Sequence, residues 1–379
     1  MKKIAFLSDG DPRDKSLWSG TMYMMYSSFI QLGYEVDWIP ATKYTEKEIN
    51  FIERVASFHE KILNRTFNRY QNLTKAFIAS RRIKNKLKET DFDLLFVSNA
   101  INDIAFLNIK QPIIYVNDIL YDQHINYYSA YKGLGWYSKK ILRYLERKAL
   151  QKCSAVLLPS EWSVERAVSF YHLPSDKVHL LRFGANIDVP QKNNFQPKKL
   201  TQPITFLFLS VEWERKRGDI ALDTVELLVK KGYNVKLKVV GCIPPKESEI
   251  MEVVPFLNKN IPEDYQKLKD TLNSSHFLFV PTEAECYGIV FCEASAYGLP
   301  SITTATGGVT SIVKDGINGF ALPLNAKADE YAKIIEPFLI NESKFQELSK
   351  TSRARYDQAL NWDVWRNELR NILNKIFEK

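Results

Sequence analysis

Two glutamates eight residues apart, Glu285 and Glu293, stand in the most informative stretch of the chain, Pro281-Thr-Glu-Ala-Glu-Cys-Tyr-Gly-Ile-Val-Phe-Cys-Glu-Ala-Ser-Ala-Tyr-Gly-Leu-Pro300. Gly298 and Pro300 are helix stop signals, so a helix is expected after Gly288, with Glu285 in the turn before it and Glu293 inside it. Gly288 lets a ligand approach the backbone closely. The N–H groups of Gly288, Ile289 and Val290 then face outward at the positive end of the helix dipole, which suits a phosphate. A carboxylate two turns further on accepts hydrogen bonds from the paired hydroxyls of a ribose, and one in the turn holds sugar hydroxyls. An ordinary packed helix with a glutamate favoured by the dipole at its start also satisfies the spacing, and spacing alone favours that plainer reading.

The elements that would position these residues read as α/β. Ile4-Ala-Phe-Leu7 is a buried strand, Thr21 to Leu32 a helix stopped by Gly33, and Val36-Asp-Trp-Ile39 a second strand, a βαβ unit that argues for a parallel sheet. Further strands are expected at Leu94–Val97, Ile113–Val116 and Ala155–Leu158. Residues 189–203 are polar, with three prolines, and read as a linker. The pattern then restarts with strand Ile204–Leu209, a helix over about 219–230, and strands Val235–Val240 and Phe277–Val280. Two α/β halves imply paired Rossmann-like domains with ligands beyond the carboxyl ends of the strands, in a cleft between the domains. The expected boundaries are 1–188, a linker 189–203, 204–360, and a last helix 361–379 returning to the first domain.

With 379 residues, 45% hydrophobic and 25% charged, the composition excludes disorder and collagen-like repeats. No apolar run approaches the ~18 residues that span a bilayer. The start, Met1-Lys-Lys-Ile-Ala-Phe-Leu7, is too short in its apolar part for a secretory signal. Cys153, Cys242, Cys286 and Cys292 are too scattered for a disulfide framework and fit a cytoplasmic location. The net charge of +8 is local: residues 61–90 carry nine Lys/Arg against Glu89, and residues 131–152 seven against Glu146, leaving −6 for the rest. Leu63, Phe67, Tyr70, Leu73 and Phe77 recur at helical steps, so the first stretch is expected to be helical. Three readings compete for this charge: a solvated helix face, attraction to anionic lipid headgroups at ~1 kcal/mol per cation, and nucleic-acid binding. No nucleic-acid motif accompanies it, and no nucleic-acid partner is expected.

The segment 281–300 and its tail Ser301-Ile-Thr-Thr-Ala-Thr-Gly-Gly-Val-Thr-Ser-Ile-Val-Lys-Asp-Gly-Ile-Asn-Gly-Phe320 closely resemble the donor-binding region of family 4 glycosyltransferases, retaining enzymes of the GT-B fold. Trp18-Ser-Gly-Thr21 resembles the first-loop motif of one branch of that family. Leu158-Pro-Ser-Glu-Trp162 and Phe183-Gly-Ala-Asn-Ile-Asp188 resemble the end of its first domain. Val211-Glu-Trp-Glu-Arg-Lys-Arg-Gly-Asp-Ile-Ala221 resembles its phosphate-contacting loop, and Asn361-Trp-Asp-Val-Trp365 the start of its terminal helix. The matches run in the family's order over nearly the whole chain.

The resemblance implies two Rossmann-like domains facing across a cleft, and a role for each matching residue. Glu293 would bind the ribose of a nucleotide-sugar, and Glu285 would contact the transferred sugar. Lys216 would neutralise the diphosphate with support from Arg215, beside Gly288, Ile289, Val290 and Tyr287. Gly20 would let the first loop close on the phosphates. Where many relatives carry an Arg five or six residues before the Lys, this chain has Val211 and Ser210, and Arg215 is the substitute at hand. Where many carry a His after a first-domain strand, this chain has Asp118, which would orient a sugar hydroxyl or the acceptor, or would simply cap a turn. The implied reaction is retaining transfer from a nucleotide-diphosphate sugar to a glycan or lipid-linked acceptor, with no metal or cofactor, as in surface polysaccharide or glycolipid synthesis. The basic stretches would then hold the enzyme at the inner membrane face.

Other readings make different demands. Asp9-Gly-Asp11 and Asp91-Phe-Asp93 fit the Asp-x-Asp pattern that holds Mn²⁺ in the other glycosyltransferase fold, but the pattern is short and common in turns. A nicotinamide dehydrogenase needs Gly-x-Gly-x-x-Gly after a strand, and Gly133-Leu-Gly135 lacks the third glycine. His59, His124, His172, His179 and His276 show no ligand spacing. A sugar-nucleotide epimerase of the same fold, a non-catalytic binding protein and an enzyme acting on a soluble small molecule remain as alternatives.

Overall fold

The computed structural model describes residues 1–378. The chain divides into two compact units, Met1–Leu181 together with the residues from Arg366 on, and Arg182–Trp365. The first unit is a six-stranded parallel sheet of β1 (Lys3–Ser8), β2 (Glu35–Pro40), β3 (Leu94–Ser98), β4 (Ile113–Val116), β5 (Ala155–Leu158) and β6 (Val178–Leu180), in the order β2-β1-β3-β4-β5-β6. Its helices are α1 (Thr21–Gln31), α2 (Glu46–Leu63), α3 (Leu73–Lys88), α4 (Ile101–Ala105), α5 (Tyr121–His124), α6 (Trp136–Lys152) and α7 (Glu161–Ser169).

The second unit repeats the plan with β7 (Ile204–Leu209), β8 (Val235–Val240), β9 (Met251–Val254), β10 (Phe277–Val280), β11 (Ser301–Thr304) and β12 (Gly319–Leu322), all parallel in the order β12-β11-β10-β7-β8-β9. Its helices are α8 (Gly218–Lys230), α9 (Pro262–Ser274), α10 (Ile289–Ala296), α11 (Val309–Ile312), α12 (Ala328–Leu339) and α13 (Glu342–Ala359). The last helix, α14 (Trp362–Phe377), begins in this unit.

The central strands are continuous apolar runs because helices cover both faces of a parallel sheet. Ile4–Leu7, Leu94–Val97 and Phe277–Val280 are all fully buried. Among the described residues, no helix is long and apolar enough to cross a membrane.

One sequence expectation needs correction. The basic stretch 61–90 is not one helix: α2 stops at Leu63 and α3 starts at Leu73. Three asparagines break it, Asn64 by its left-handed backbone and Asn68 and Asn72 by offering the backbone a competing partner. Asn64 takes the left-handed conformation at φ 47°. The Asn68 carboxamide accepts from the N–H groups of Tyr70 (3.0 Å) and Gln71 (3.1 Å), and that of Asn72 accepts from Lys75 N–H (3.0 Å), capping α3. The polar stretch 189–203 falls within the second unit and packs on it. The Lys198 ammonium is buried and donates to the carbonyls of Leu272 (2.9 Å) and Asn273 (2.7 Å), and the Phe195 ring lies where a Cβ on Gly298 would stand, 2.5 Å away.

Candidate active site

In the second sheet the chain runs from β7 outward to β8 and β9, then returns to the other side of β7 as β10 and continues to β11 and β12. The winding reverses between β7 and β10, and the turns leaving those two strands open a crevice at their carboxyl ends. The turn after β7 carries Arg215 and Lys216, and the turn after β10 carries Glu285.

Backbone bonds lock the two turns together. Glu283 N–H donates to the Arg215 carbonyl (2.9 Å), and the Arg215 guanidinium donates to the Ala284 carbonyl (2.7 Å). The turn after β11 joins them, with Gly308 N–H on the Glu285 carbonyl (3.2 Å) and the Thr306 hydroxyl on the Glu283 carbonyl (3.2 Å). Gly288 starts α10 with φ 96°, and a Cβ there would meet the Phe291 ring at 2.6 Å and Glu285 Cγ at 3.1 Å. Only glycine satisfies both demands. The first N–H groups of α10 have no carbonyl within the helix to bond, so Ile289 and Val290 present donors on this turn.

The charged side chains here are paired and largely withdrawn from water. The Lys216 ammonium bonds the Glu285 carboxylate, and both side chains are mostly buried. Glu293 is 3% exposed, and its Oε1 accepts from Lys259 Nζ at 2.5 Å, while that ammonium also reaches the Asn186 carbonyl at 3.2 Å. Arg215 makes a two-point contact with Glu212 at 2.9 and 2.6 Å. A dianionic group entering this turn would meet the Lys216 ammonium, the Arg215 guanidinium and a helix N-terminus. The Glu285 carboxylate would then be freed to accept hydroxyl protons.

Tyr287 has a different place. Its side chain is 2% exposed and its hydroxyl donates to the Phe183 carbonyl at 2.9 Å, so the phenol is part of the core and only its backbone lies along the turn. Lys259 was not visible as a site residue. It sits in Asn258-Lys-Asn260 before Pro262, a loop whose sequence carries no periodicity or motif to mark it.

The first unit holds the remaining candidates. Its winding reverses between β1 and β3. After β1, Trp18 (φ 49°), Ser19 (φ 55°) and Gly20 (φ 91°) are three successive left-handed residues that start α1. Left-handed backbone at Trp and Ser is costly and collects where a surrounding structure enforces it, often at functional sites. The Trp18 indole N–H donates to Asp118 Oδ2 at 3.2 Å, so two residues a hundred positions apart meet. Asp118 lies just beyond β4, and its carbonyl accepts from the Ser163 hydroxyl at 3.3 Å.

The segment after it is anchored from below by buried charge. Glu146 accepts from Tyr121 N–H (2.6 Å), Asp122 N–H (3.0 Å) and the Tyr171 hydroxyl. Asp122 in turn holds Arg143 (2.6 Å) and Arg166 (2.8 Å). Burial pushes the Glu146 carboxyl up to about 7, against the opposing pull of those donors.

Two family models divide the chain between them, "Glycosyltransferase Family 4" over residues 21–189 and "Glycosyl transferases group 1" over residues 190–355. The capsular polysaccharide biosynthesis glycosyltransferase CapM of Staphylococcus aureus is 25% identical over 259 residues, 64% of this chain and 67% of that protein. A D-inositol 3-phosphate glycosyltransferase of Streptomyces griseus is 30% identical over 115 residues, 30% of this chain but 23% of its own length. Among solved structures, sucrose-phosphate synthase from Thermosynechococcus elongatus shares the fold with a TM-score of 0.66 at 15% identity, covering 100% of both chains. These neighbours and the two six-stranded parallel sheets place both units in the GT-B architecture of two Rossmann-like domains.

Proposed function

We propose that this chain, a glycosyltransferase of the group 1 and family 4 type, moves a sugar from a nucleotide-diphosphate sugar to a glycan or lipid-linked acceptor with retention of configuration. The observation that carries the reading is the convergence of Lys216, Glu285 and the α10 N-terminus where the second sheet reverses its winding. Cleaving a sugar–phosphate bond builds positive charge on the sugar and negative charge on the departing diphosphate. Lys216, Arg215 and the first amides of α10 address the negative charge, and stabilising developing charge is usually the largest catalytic term. Glu285, released from Lys216 when a phosphate takes the ammonium, is free to hold sugar hydroxyls. Glu293 takes the ribose, with Lys259 beside it. Gly20, Trp18 and Asp118 belong to the first unit's share of the work, Asp118 orienting the acceptor hydroxyl. The leaving phosphate helps to deprotonate that hydroxyl on the same face of the sugar, so no covalent nucleophile and no metal enter the scheme.

The capsular relative makes surface polysaccharide the acceptor class favoured for this chain, with the enzyme cytoplasmic and peripheral to the inner membrane face through residues 61–90 and 131–152. A soluble acceptor and a donor-only epimerisation are the alternatives. The deciding experiment screens nucleotides and nucleotide-sugars by thermal shift. A ligand at a hundred times its dissociation constant adds about 2.7 kcal/mol. The stabilising donor is then incubated with EDTA, with and without acceptor, and the anomer of any product is read by NMR. Transfer with retention in EDTA supports the proposal. Strict metal dependence, inversion, or conversion of donor without acceptor overturns it.

A further inference from the structure

Exposed apolar side chains crowd one helix of the first unit. In α2 only Ile52 and Ala56 are buried, whereas Phe51, Val55, Phe58 and Ile62 are exposed, Phe58 at 68% and Ile62 at 60%. Steps of four, three and four residues put these side chains in one stripe. Lys47, Arg54 and Lys61 are also exposed and recur every seven residues, so they form a row along one edge of that stripe.

A cavity of about 440 Å³ opens on the stripe, lined by Val55, Phe58 and Ile62 of α2, Leu73 of α3, and Tyr137 and Ile141 of α6. The His59 ring closes its floor between Phe67 (5.3 Å) and Tyr137 (5.7 Å), with both ring nitrogens buried and without a hydrogen-bond partner. Trp136, 68% exposed and 6.0 Å from the Tyr137 ring, continues the surface onto α6.

We propose that the α2 stripe and Trp136 sink into the interfacial layer of an anionic bilayer, and that the cavity receives an apolar chain of one of its lipids. A water-facing helix gains nothing from aromatic and branched side chains in a row, and contiguous exposed apolar surface marks an interaction site. The seven-residue row of cations beside the apolar row is the arrangement that lies flat in an anionic interface, with the long Lys and Arg stems reaching headgroups. A second copy of this chain is the poorer occupant. Residues 61–90 and 131–152 carry +8 and +6, and a self-paired face would set these charges against each other. The inference gives a site to the membrane-held acceptor of the proposed function and rests on that reading for its purpose, but lipid binding itself needs no transfer.

The test is flotation with vesicles of equimolar phosphatidylcholine and phosphatidylglycerol, and with phosphatidylcholine alone. The full chain is expected to partition onto the first at least about tenfold better than onto the second. Phe58→Ser with Ile62→Ser, and separately Lys47→Gln with Arg54→Gln and Lys61→Gln, are each expected to lower that partition about tenfold or more. All five side chains are exposed, so the melting temperature should hold. Brominated lipid is expected to quench the wild-type protein more than Trp136→Phe. Equal partition of the serine variant and wild type, or no preference for the anionic vesicles, overturns the proposal. So does self-association abolished by the serine pair in a chain that ignores vesicles. Lys216→Ala is expected to float like wild type. Lost flotation with intact transfer therefore condemns only the lipid site, and lost transfer with intact flotation condemns only the enzymatic reading.

Discussion

The turns that follow β7 and β10 and those that follow β1 and β4 grow from parallel sheets with the same reversal of winding, but they solve different electrostatic problems. In the second unit each carboxylate is matched by an ammonium, Glu285 by Lys216 and Glu293 by Lys259, inside a turn that also points helix amides outward. In the first unit Asp118 meets a neutral indole, and the neighbouring backbone is twisted into three left-handed residues. Paired opposite charges that can exchange partners suit an incoming diphosphate. In the proposed reaction Asp118 would accept a hydrogen bond from the acceptor hydroxyl. On the proposed reaction, this difference suits the second unit to take up negative charge and the first to direct a neutral nucleophile.

Lys216→Ala is the strongest way to break that contrast. Removing the ammonium that faces the growing phosphate charge should lower kcat/KM by about a hundredfold or more, the scale found for single donors to a developing oxyanion. Steady-state transfer assays check it, and an unchanged rate would end the assignment of this turn to the leaving group. Glu293→Gln comes next. It should weaken nucleotide binding about tenfold, measured by calorimetry, and should also lower the melting temperature because a buried ion pair loses one of its two charges. Adding Lys259→Met should restore the melting temperature without restoring affinity, which separates the residue's binding role from its structural one.

Asp118→Asn and Trp18→Phe sharpen the other side of the comparison. Each should reduce kcat several-fold to tenfold while leaving the nucleotide dissociation constant unchanged, since the proposed donor contacts of Lys216, Arg215, Glu285 and Glu293 all belong to the second unit. A matching loss of nucleotide affinity would mean that the division of labour between the units is wrong.

The same contrast governs what the sequence reveals. Phe277–Val280 and, but for Thr205, Ile204–Leu209 are legible to the residue because a strand buried on both faces reads as a continuous apolar run, and Val235–Val240 because Lys236 and Lys238 alternate with its buried residues at the two-residue period of a strand. The Glu285–Glu293 turn is legible because its glycine, carboxylates and helix stops are contiguous. The link from Trp18 to Asp118 is not, since nothing local records which turns a sheet order will bring together. Lys259 is hidden for the same reason. The break between α2 and α3 is hidden because the apolar steps from Leu63 to Phe77 continue through it, while Asn64 acts through a left-handed backbone and Asn68 and Asn72 through side-chain hydrogen bonds that periodicity does not weigh.

The smallest expected effects lie in pH, and they run in opposite directions in the two units. Glu146 of the first unit is fully buried, and its carboxyl is pushed from an ordinary 4.5 up to about 7. Between those values the folded chain keeps a proton that the unfolded chain has released, so stability falls as pH rises through the window. Lys198 of the second unit is pushed by burial from 10.5 down to about 7. Between those values the unfolded chain holds the extra proton, so stability rises with pH. Melting curves should therefore show a shallow minimum near neutrality, a few degrees deep. Glu146→Gln should flatten the acid side alone and Lys198→Met the alkaline side alone. If either substitution flattened both sides, the two buried charges would not be acting independently in their separate units.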